Sequence, residues 1–298
     1  MTLNKLKSVL SLLIALTLPF SASPAFSGSA GIAAENAEER INYSGKLRML
    51  SQRIPAAACH LNEAIAPDTS RAILENSIAE FEQIITALEF GDTALNIQAP
   101  ETQRKSLARI HELRENWAPF KAAAEAIIQG QDTKASLTYV LAENMTLLSN
   151  AQLVVEQLSK QYANPNSSSR ASLMLIDISG RQRMLTQKMA KETCMIASAF
   201  GSTATEEDLA GTMRIFEASL EALRFGMPQV GVLPPPNSDI SVGLESVFDD
   251  WLNVKPLLGS VLDGHQLDDT SHAIKFERLN VTMASANAGV SLYTEATQ

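Results

Sequence analysis

Two stretches of this chain are near copies of one another, and that duplication limits the possible folds more than any other feature. Ile41, Ser44, Gly45, Arg48, Met49, Leu50, Gln52 and Cys59 return, without a gap, as Ile176, Ser179, Gly180, Arg183, Met184, Leu185, Gln187 and Cys194. Asn42/Asp177, Lys46/Arg181, Ser51/Thr186, Arg53/Lys188 and Ile54/Met189 differ conservatively. The correspondence continues far from this motif. Phe81, Glu82, Leu88, Phe90 and Gly91 return as Phe216, Glu217, Leu223, Phe225 and Gly226, while Trp117, Lys121 and Gly130 return as Trp251, Lys255 and Gly264. An offset that stays nearly constant across half a chain means a tandem duplicated domain.

Each half reads as four helices. In the first, residues 35–66 form a long helix broken at Pro67, and 70–90 form a second, closed by Gly91. A third runs from Pro100 in its first turn to Gln129, and a fourth ends near Tyr162. Asn164 to Ser169 is dense in helix breakers and reads as the linker. The second half repeats the order over residues 170–200, 205–225, 238–262 and 269–295. Aromatic residues are only 5% of the chain and no alternating strand pattern appears, so the expectation is all-α: two tandem antiparallel four-helix bundles, over 35–163 and 170–298.

The first residues read as a secretory leader. Lys5 and Lys7 precede the apolar run Val9 to Phe20, which is too short to span a bilayer. Ser23 and Ala25 suit cleavage before Phe26, giving a leader over 1–25 and a soluble periplasmic protein. Loss of the two lysines takes the formal charge from −9 to −11, which argues against nucleic acid and anionic membrane surfaces as partners. Export permits a disulfide between Cys59 and Cys194, but two cysteines make no disulfide framework, and the pattern is met more readily by two small buried helix residues.

On a helical wheel Ile41, Gly45, Arg48, Gln52 and Cys59 share an arc of about 60°. Tyr43, Leu47, Leu50, Ile54 and Leu61 lie opposite and supply the face that packs into the bundle. The second repeat divides in the same way. The shared Gly/Arg/Gln face is a poor core surface, but its 4-3-4 spacing suits a seam between two helices. Glycine leaves room for close approach or a ligand, arginine offers a planar fork of donors for a small oxyanion, and glutamine adds a donor one turn on. If the halves pack about a pseudo-two-fold axis, Arg48 and Arg183 meet, and an anion between them relieves their repulsion. The ordinary alternative is a solvated or ion-paired surface arginine in each half.

Ser44 to Arg53 and Ser179 to Lys188 resemble the motif on the first helix of the periplasmic sensor domain in type IV pilus chemoreceptors (PilJ-type), and the P-box of nitrate/nitrite sensor kinases (NarX/NarQ-like). The resemblance covers nearly the whole chain after the leader. It implies four-helix sensory bundles whose motif helices pair at a dimer axis, with the arginine of each copy contacting nitrate. The implied ligand-binding residues are Arg48 and Arg183, with Gly45 and Gly180 beside them, and the helical wheel adds Gln52 and Gln187 as candidates. With both copies in one chain, the site can form within one molecule as a pseudo-dimer or between chains of a homodimer. Pro55, where the second repeat has Ala190, is expected to kink the first motif helix and present its arginine differently. The kinase or methyl-accepting domain of such receptors is not seen in the sequence, so a membrane sensor kinase or chemoreceptor is the expected signalling partner.

No catalytic constellation is apparent, and the chain reads as a binding protein rather than an enzyme. His60, His111, His265 and His272 form no Glu-x-x-His pair, no haem-attachment motif occurs, and the methionines read as core filling, so no metal or cofactor is expected. Two functions remain: a periplasmic module that binds a small oxyanion such as nitrate or nitrite, or a structural adaptor that docks a membrane receptor or pilus-type signalling system without an anion.

Overall fold

The computed structural model describes residues 36–162, 169–198, 204–265 and 267–296. The leader expected over 1–25 lies outside the described residues, as do 163–168 of the linker. The described chain forms eight α-helices: α1 Ala37–Asn62, α2 Pro67–Phe90, α3 Arg104–Gln129, α4 Thr133–Tyr162, α5 Ser169–Ala197, α6 Glu206–Phe225, α7 Ser238–Leu262 and α8 Asp269–Glu295. In place of strands, the isolated bridges Asp92–Ile97 and Met227–Val232 close equivalent turns after α2 and α6. None of these helices is long and apolar enough to cross a membrane.

The architecture is the expected pair of four-helix bundles. Helix α1 packs on α2 and α4, and α3 completes the first bundle against them; α5 to α8 repeat the arrangement. The broadest helix contact in the molecule joins the bundles, α1 against α5. Each bundle carries the same internal anchor. Trp117 is buried, stacks on Phe81 with ring centroids 4.0 Å apart, and donates from Nε1 to Glu82 at 2.8 Å, which also pairs with Lys121 at 3.1 Å. In the second bundle Trp251 packs on Phe216 at 4.7 Å and donates to Glu217 at 3.0 Å, with Lys255 on the same carboxylate. An indole needs a hydrogen-bond partner when buried, which is why Phe-Glu and Trp-x-x-x-Lys recur together in both halves.

Local chemistry sets the helix ends. Thr205 and Asp208 form a capping box on α6, Asn237 caps α7 and Asp268 caps α8. Gly91 and Gly226 end α2 and α6 at φ of 84° and 80°. A side chain there would also meet backbone at 3.1 Å from Ile97 and 2.9 Å from Pro234 respectively, so glycine is required twice over. Two helix starts differ from the sequence expectation. Pro67 opens α2 instead of lying in a break, because a proline suits the first turn, where its missing N–H is not needed. Helix α3 begins at Arg104, not Pro100: the Glu101 carboxylate takes the N–H groups of Thr102 and Gln103 at 2.8 Å each and holds them in a turn.

Pro55, expected to kink the first motif helix, lies inside α1. Helix α1 runs through it without interruption. The carbonyl that a residue 55 amide would have bonded belongs to Ser51, and Gln52 Nε2 donates to that oxygen at 3.2 Å instead. Its own neighbour thus satisfies the group that the proline orphans.

Cys59 and Cys194 are joined in a disulfide, with Cα atoms 6.2 Å apart, rather than standing as separate buried thiols. It links the distal ends of the two motif helices across the seam. Beside it lies a buried basic cluster. His60 stacks on Phe276 with centroids 3.9 Å apart and hydrogen-bonds the Ala56 carbonyl through Nδ1. Lys275 Nζ lies 3.0 Å from His272 Nδ1, and no carboxylate is within ion-pair distance of that amine among the described residues. Burial pushes Lys275 down to about 7 and His60 down to about 3, and lowers His272.

Two outcomes follow from this end of the molecule. Closing a loop of 135 residues restrains the unfolded chain, so reduction, or the double substitution Cys59→Ser with Cys194→Ser, costs about 4 kcal/mol of unfolding free energy in denaturant titrations. The basic cluster binds fewer protons folded than unfolded, so stability rises with pH wherever that difference persists. For Lys275 the rise falls between about pH 7 and the unfolded lysine range near 10. Unfolding free energy measured in steps from pH 7 to 9.5 therefore increases, and Lys275→Met removes the part of the increase that lies between pH 7 and 8.

Candidate functional site

The motif faces of α1 and α5 meet as the pseudo-two-fold arrangement requires. Arg48 and Arg183 are each only 1% exposed, among the largest fully buried side chains in the protein. Their tips lie over both motif glycines. A Cβ on Gly45 would stand 3.1 Å from Arg48 Nη2 and 3.5 Å from Arg183 Nη2; on Gly180 it would stand 3.2 Å from Arg183 Nη2 and 3.6 Å from Arg48 Nη2. The glycines thus hold open the space that the two guanidinium groups share. A methyl group at either position presses on both arginines.

Around this centre the small polar residues of the motif satisfy themselves. Ser44, Ser51, Ser179 and Thr186 each donate a hydroxyl proton to the carbonyl three residues back, at 2.7–3.1 Å. Buried hydroxyls used this way let two helices approach without leaving polar atoms unpaired.

Each arginine is held by residues from the opposite motif helix and from its own bundle. Arg183 Nη1 donates to Asn42 Oδ1 and Asn287 Oδ1, both at 2.9 Å, and its Nη2 donates to the Asn42 carbonyl at 3.1 Å. Arg48 Nη1 donates to Gln152 Oε1 at 2.7 Å, and its Nη2 pairs with Asp177 Oδ1 at 2.7 Å. Asn42 and Asp177 hold the same motif position, so the two halves of the site differ by one charge. Nε of both arginines is buried without a hydrogen-bond partner among the described residues. Burial first, then the charge of Arg48, pushes Arg183 down to about 9, so it stays cationic at neutral pH. Burial also lowers Arg48, but Asp177 opposes the shift.

The glutamines do other work. Gln52 Oε1 accepts from Lys191 Nζ at 2.8 Å, and its amide donates to the Asn144 carbonyl at 3.4 Å. Lys191 also donates to Asn144 Oδ1 at 2.7 Å, bridging the bundles where the first repeat has Ala56; burial pushes this lysine down to about 8. Gln187 donates to Asn280 Oδ1 at 3.4 Å. Neither glutamine hydrogen-bonds an arginine among the described residues. The structure therefore brings Gly45, Gly180, Arg48 and Arg183 together, and places Gln52 and Gln187 further along the same seam.

The sequence reading missed four residues that hold the arginines: Asn42, Asp177, Gln152 and Asn287. A signal existed for two of them, because Asn42/Asp177 is the one conservative difference in the motif that changes charge. Gln152 and Asn287 stand on α4 and α8, outside the motif, and only packing brings them in. A groove of about 480 Å³ lined by Val155, Leu173, Met174 and Arg181 reaches Arg48's partners Gln152 and Asp177. A smaller one of about 270 Å³, lined by Lys46, Met49, Arg53 and Glu80, reaches Asn287 on the Arg183 side.

No curated protein matches the sequence. The family model for the N-terminal domain of type IV pili methyl-accepting chemotaxis transducers (PilJ) matches it twice, over residues 33–142 and 166–275. Each match spans one bundle's motif helix, the two helices after it and the start of the fourth. With most of the chain covered by two copies, this protein belongs to the PilJ family and is a tandem sensory module of the chemotaxis-transducer type.

Proposed function

We propose that the α1–α5 seam binds a small oxyanion, with nitrate or nitrite the first candidates, and that the protein is a periplasmic sensory module. The observation that carries the reading is the pair of buried arginines facing over two glycines, each with an unpartnered Nε. Two buried cations balanced by one carboxylate leave positive charge in a region of low dielectric, where an anion is held strongly and its removal is costly. The overall acidic surface draws no anion, so recognition rests on this local cluster. A membrane sensor kinase or chemoreceptor docked against the bundles would carry the signal on.

A second reading, an adaptor that docks such a receptor without an anion, draws support from Phe90 and Phe225. They occupy equivalent positions and are 63% and 65% exposed, more than large aromatic side chains usually are. Capture of a receptor ectodomain that is equal with and without nitrate, and is lost in Phe90→Ser with Phe225→Ser, favours this reading.

The anion reading is checked by calorimetry and thermal melts with nitrate, nitrite and chloride. A ligand at about 100 times its dissociation constant stabilises the fold by about 2.7 kcal/mol, which raises Tm by several degrees in a protein of this size. Arg183→Ala abolishes the shift, and Arg48→Ala weakens affinity at least tenfold, which at the same ligand concentration cuts the stabilisation to about half or less. Equal shifts in the wild type and both variants, or no shift with any anion, refute it.

A further inference from the structure

The two halves of the arginine seam are not equivalent, and the difference is one of charge. Asn42 offers Arg183 a neutral amide oxygen and its own carbonyl. The equivalent Asp177 offers Arg48 a carboxylate at 2.7 Å. The other oxygen of that carboxylate accepts from Arg181 at 2.9 Å, and Arg181 is 46% exposed. The remaining charges around the pair stand outward. Lys46 pairs with Glu80, both partly exposed, and Glu156 accepts from the Gln152 amide at 3.0 Å. At the level of the two arginines the buried formal charges are therefore two guanidinium cations and one carboxylate, the next buried cation along the seam being Lys191, held by Gln52 and Asn144.

On the reading that this seam is an oxyanion site, we propose that Asp177 sets its charge, so that it accepts one monovalent oxyanion, seated chiefly on Arg183, and rejects dianions. Two bare arginines would match a dianion. With Asp177 in place the excess at the arginine pair is a single positive charge, and a monovalent anion brings that pair and its carboxylate to neutrality. A dianion would leave a net negative charge buried beside a carboxylate, and an uncompensated buried charge is strongly unfavourable. The same pairing makes the arginines unequal. Arg48 already has a resident anionic partner, whereas every partner of Arg183 is neutral. Arg183 is the cation with charge to offer.

Asp177 is thus a selectivity residue, and its natural counterpart supplies the test. Asp177→Asn installs the side chain that the first repeat carries at the same position, and Asn42→Asp installs the reverse. Nitrate, nitrite and sulfate are titrated calorimetrically at constant ionic strength into the wild type, both variants, and Arg181→Gln, with melts confirming that each is folded. The wild type binds nitrate or nitrite and binds sulfate at least about 100-fold more weakly. Asp177→Asn tightens sulfate by at least about tenfold and narrows or reverses the preference, while Asn42→Asp weakens nitrate by at least about tenfold. Arg181→Gln, which removes only the outer partner of the carboxylate, keeps the wild-type preference. Nitrate binding with an unchanged nitrate-to-sulfate ratio in Asp177→Asn overturns the charge-setting role and leaves the oxyanion site intact. Sulfate binding as tight as nitrate in the wild type does the same. No anion binding in any of the four proteins overturns the site itself.

Discussion

Two like charges buried against each other are the condition that the rest of this molecule answers. Isolated guanidinium groups removed from water carry a large desolvation cost, and mutual repulsion adds to it. The chain meets the cost with four named acceptors, Asn42, Asp177, Gln152 and Asn287, drawn from α1, α5, α4 and α8. Each bundle supplies acceptors to its own arginine and to the arginine opposite. The site consequently exists only when both bundles are folded and docked. Its geometry reports on the relative placement of two domains, which is a useful property in a sensor.

The seam is graded along its length. The arginine pair lies near the middle of the motif helices. About one turn on, Lys191 ties Gln52 and Asn144 together across the bundles, and the disulfide closes the distal end. The eleven residues from Arg48 to Cys59 span roughly 16 Å of helix. The crosslink therefore sits well away from the charges and restrains the helices without occupying the space between the arginines. The bundles' own stability comes from elsewhere, from the two Trp–Phe–Glu anchors and the apolar faces turned away from the seam. Each motif helix thus has one face for folding and another for its role in the site.

The fold was legible in the sequence because duplication gave two independent readings of every helix. Phe81-Glu82 with Trp117 and Lys121 could be checked against Phe216-Glu217 with Trp251 and Lys255, and both sets pack alike. The division of the motif helix into two faces was legible as well, because helical periodicity needs no tertiary information. The failures have specific causes. At Pro55, propensity does not reveal that Gln52 reaches the orphaned Ser51 carbonyl. Pro67 and Pro100 were misplaced by a few residues because proline is compatible with both a turn and a first helical turn. Cys59 and Cys194 were read apart because pairing them depends on how the bundles dock. For the same reason Gln52 was placed beside the arginines when Lys191 claims its oxygen. The partners Gln152 and Asn287 come from helices with no motif of their own.

Having both half-sites on one polypeptide has a consequence for how the seam assembles. When such a site lies between separate chains, its occupancy depends on protein concentration, and dilution dismantles it. Here the second half-site is delivered by the linker and held by the Cys59–Cys194 bond, so its effective concentration is fixed by covalent geometry. On the proposed oxyanion reading, the binding curve then depends on the ligand alone. A symmetric pair of identical chains must also carry the same residue on both sides of its axis. A duplicated chain is free of that requirement, and Asn42 standing where the other repeat has Asp177, like Ala56 where it has Lys191, is an asymmetry open to it.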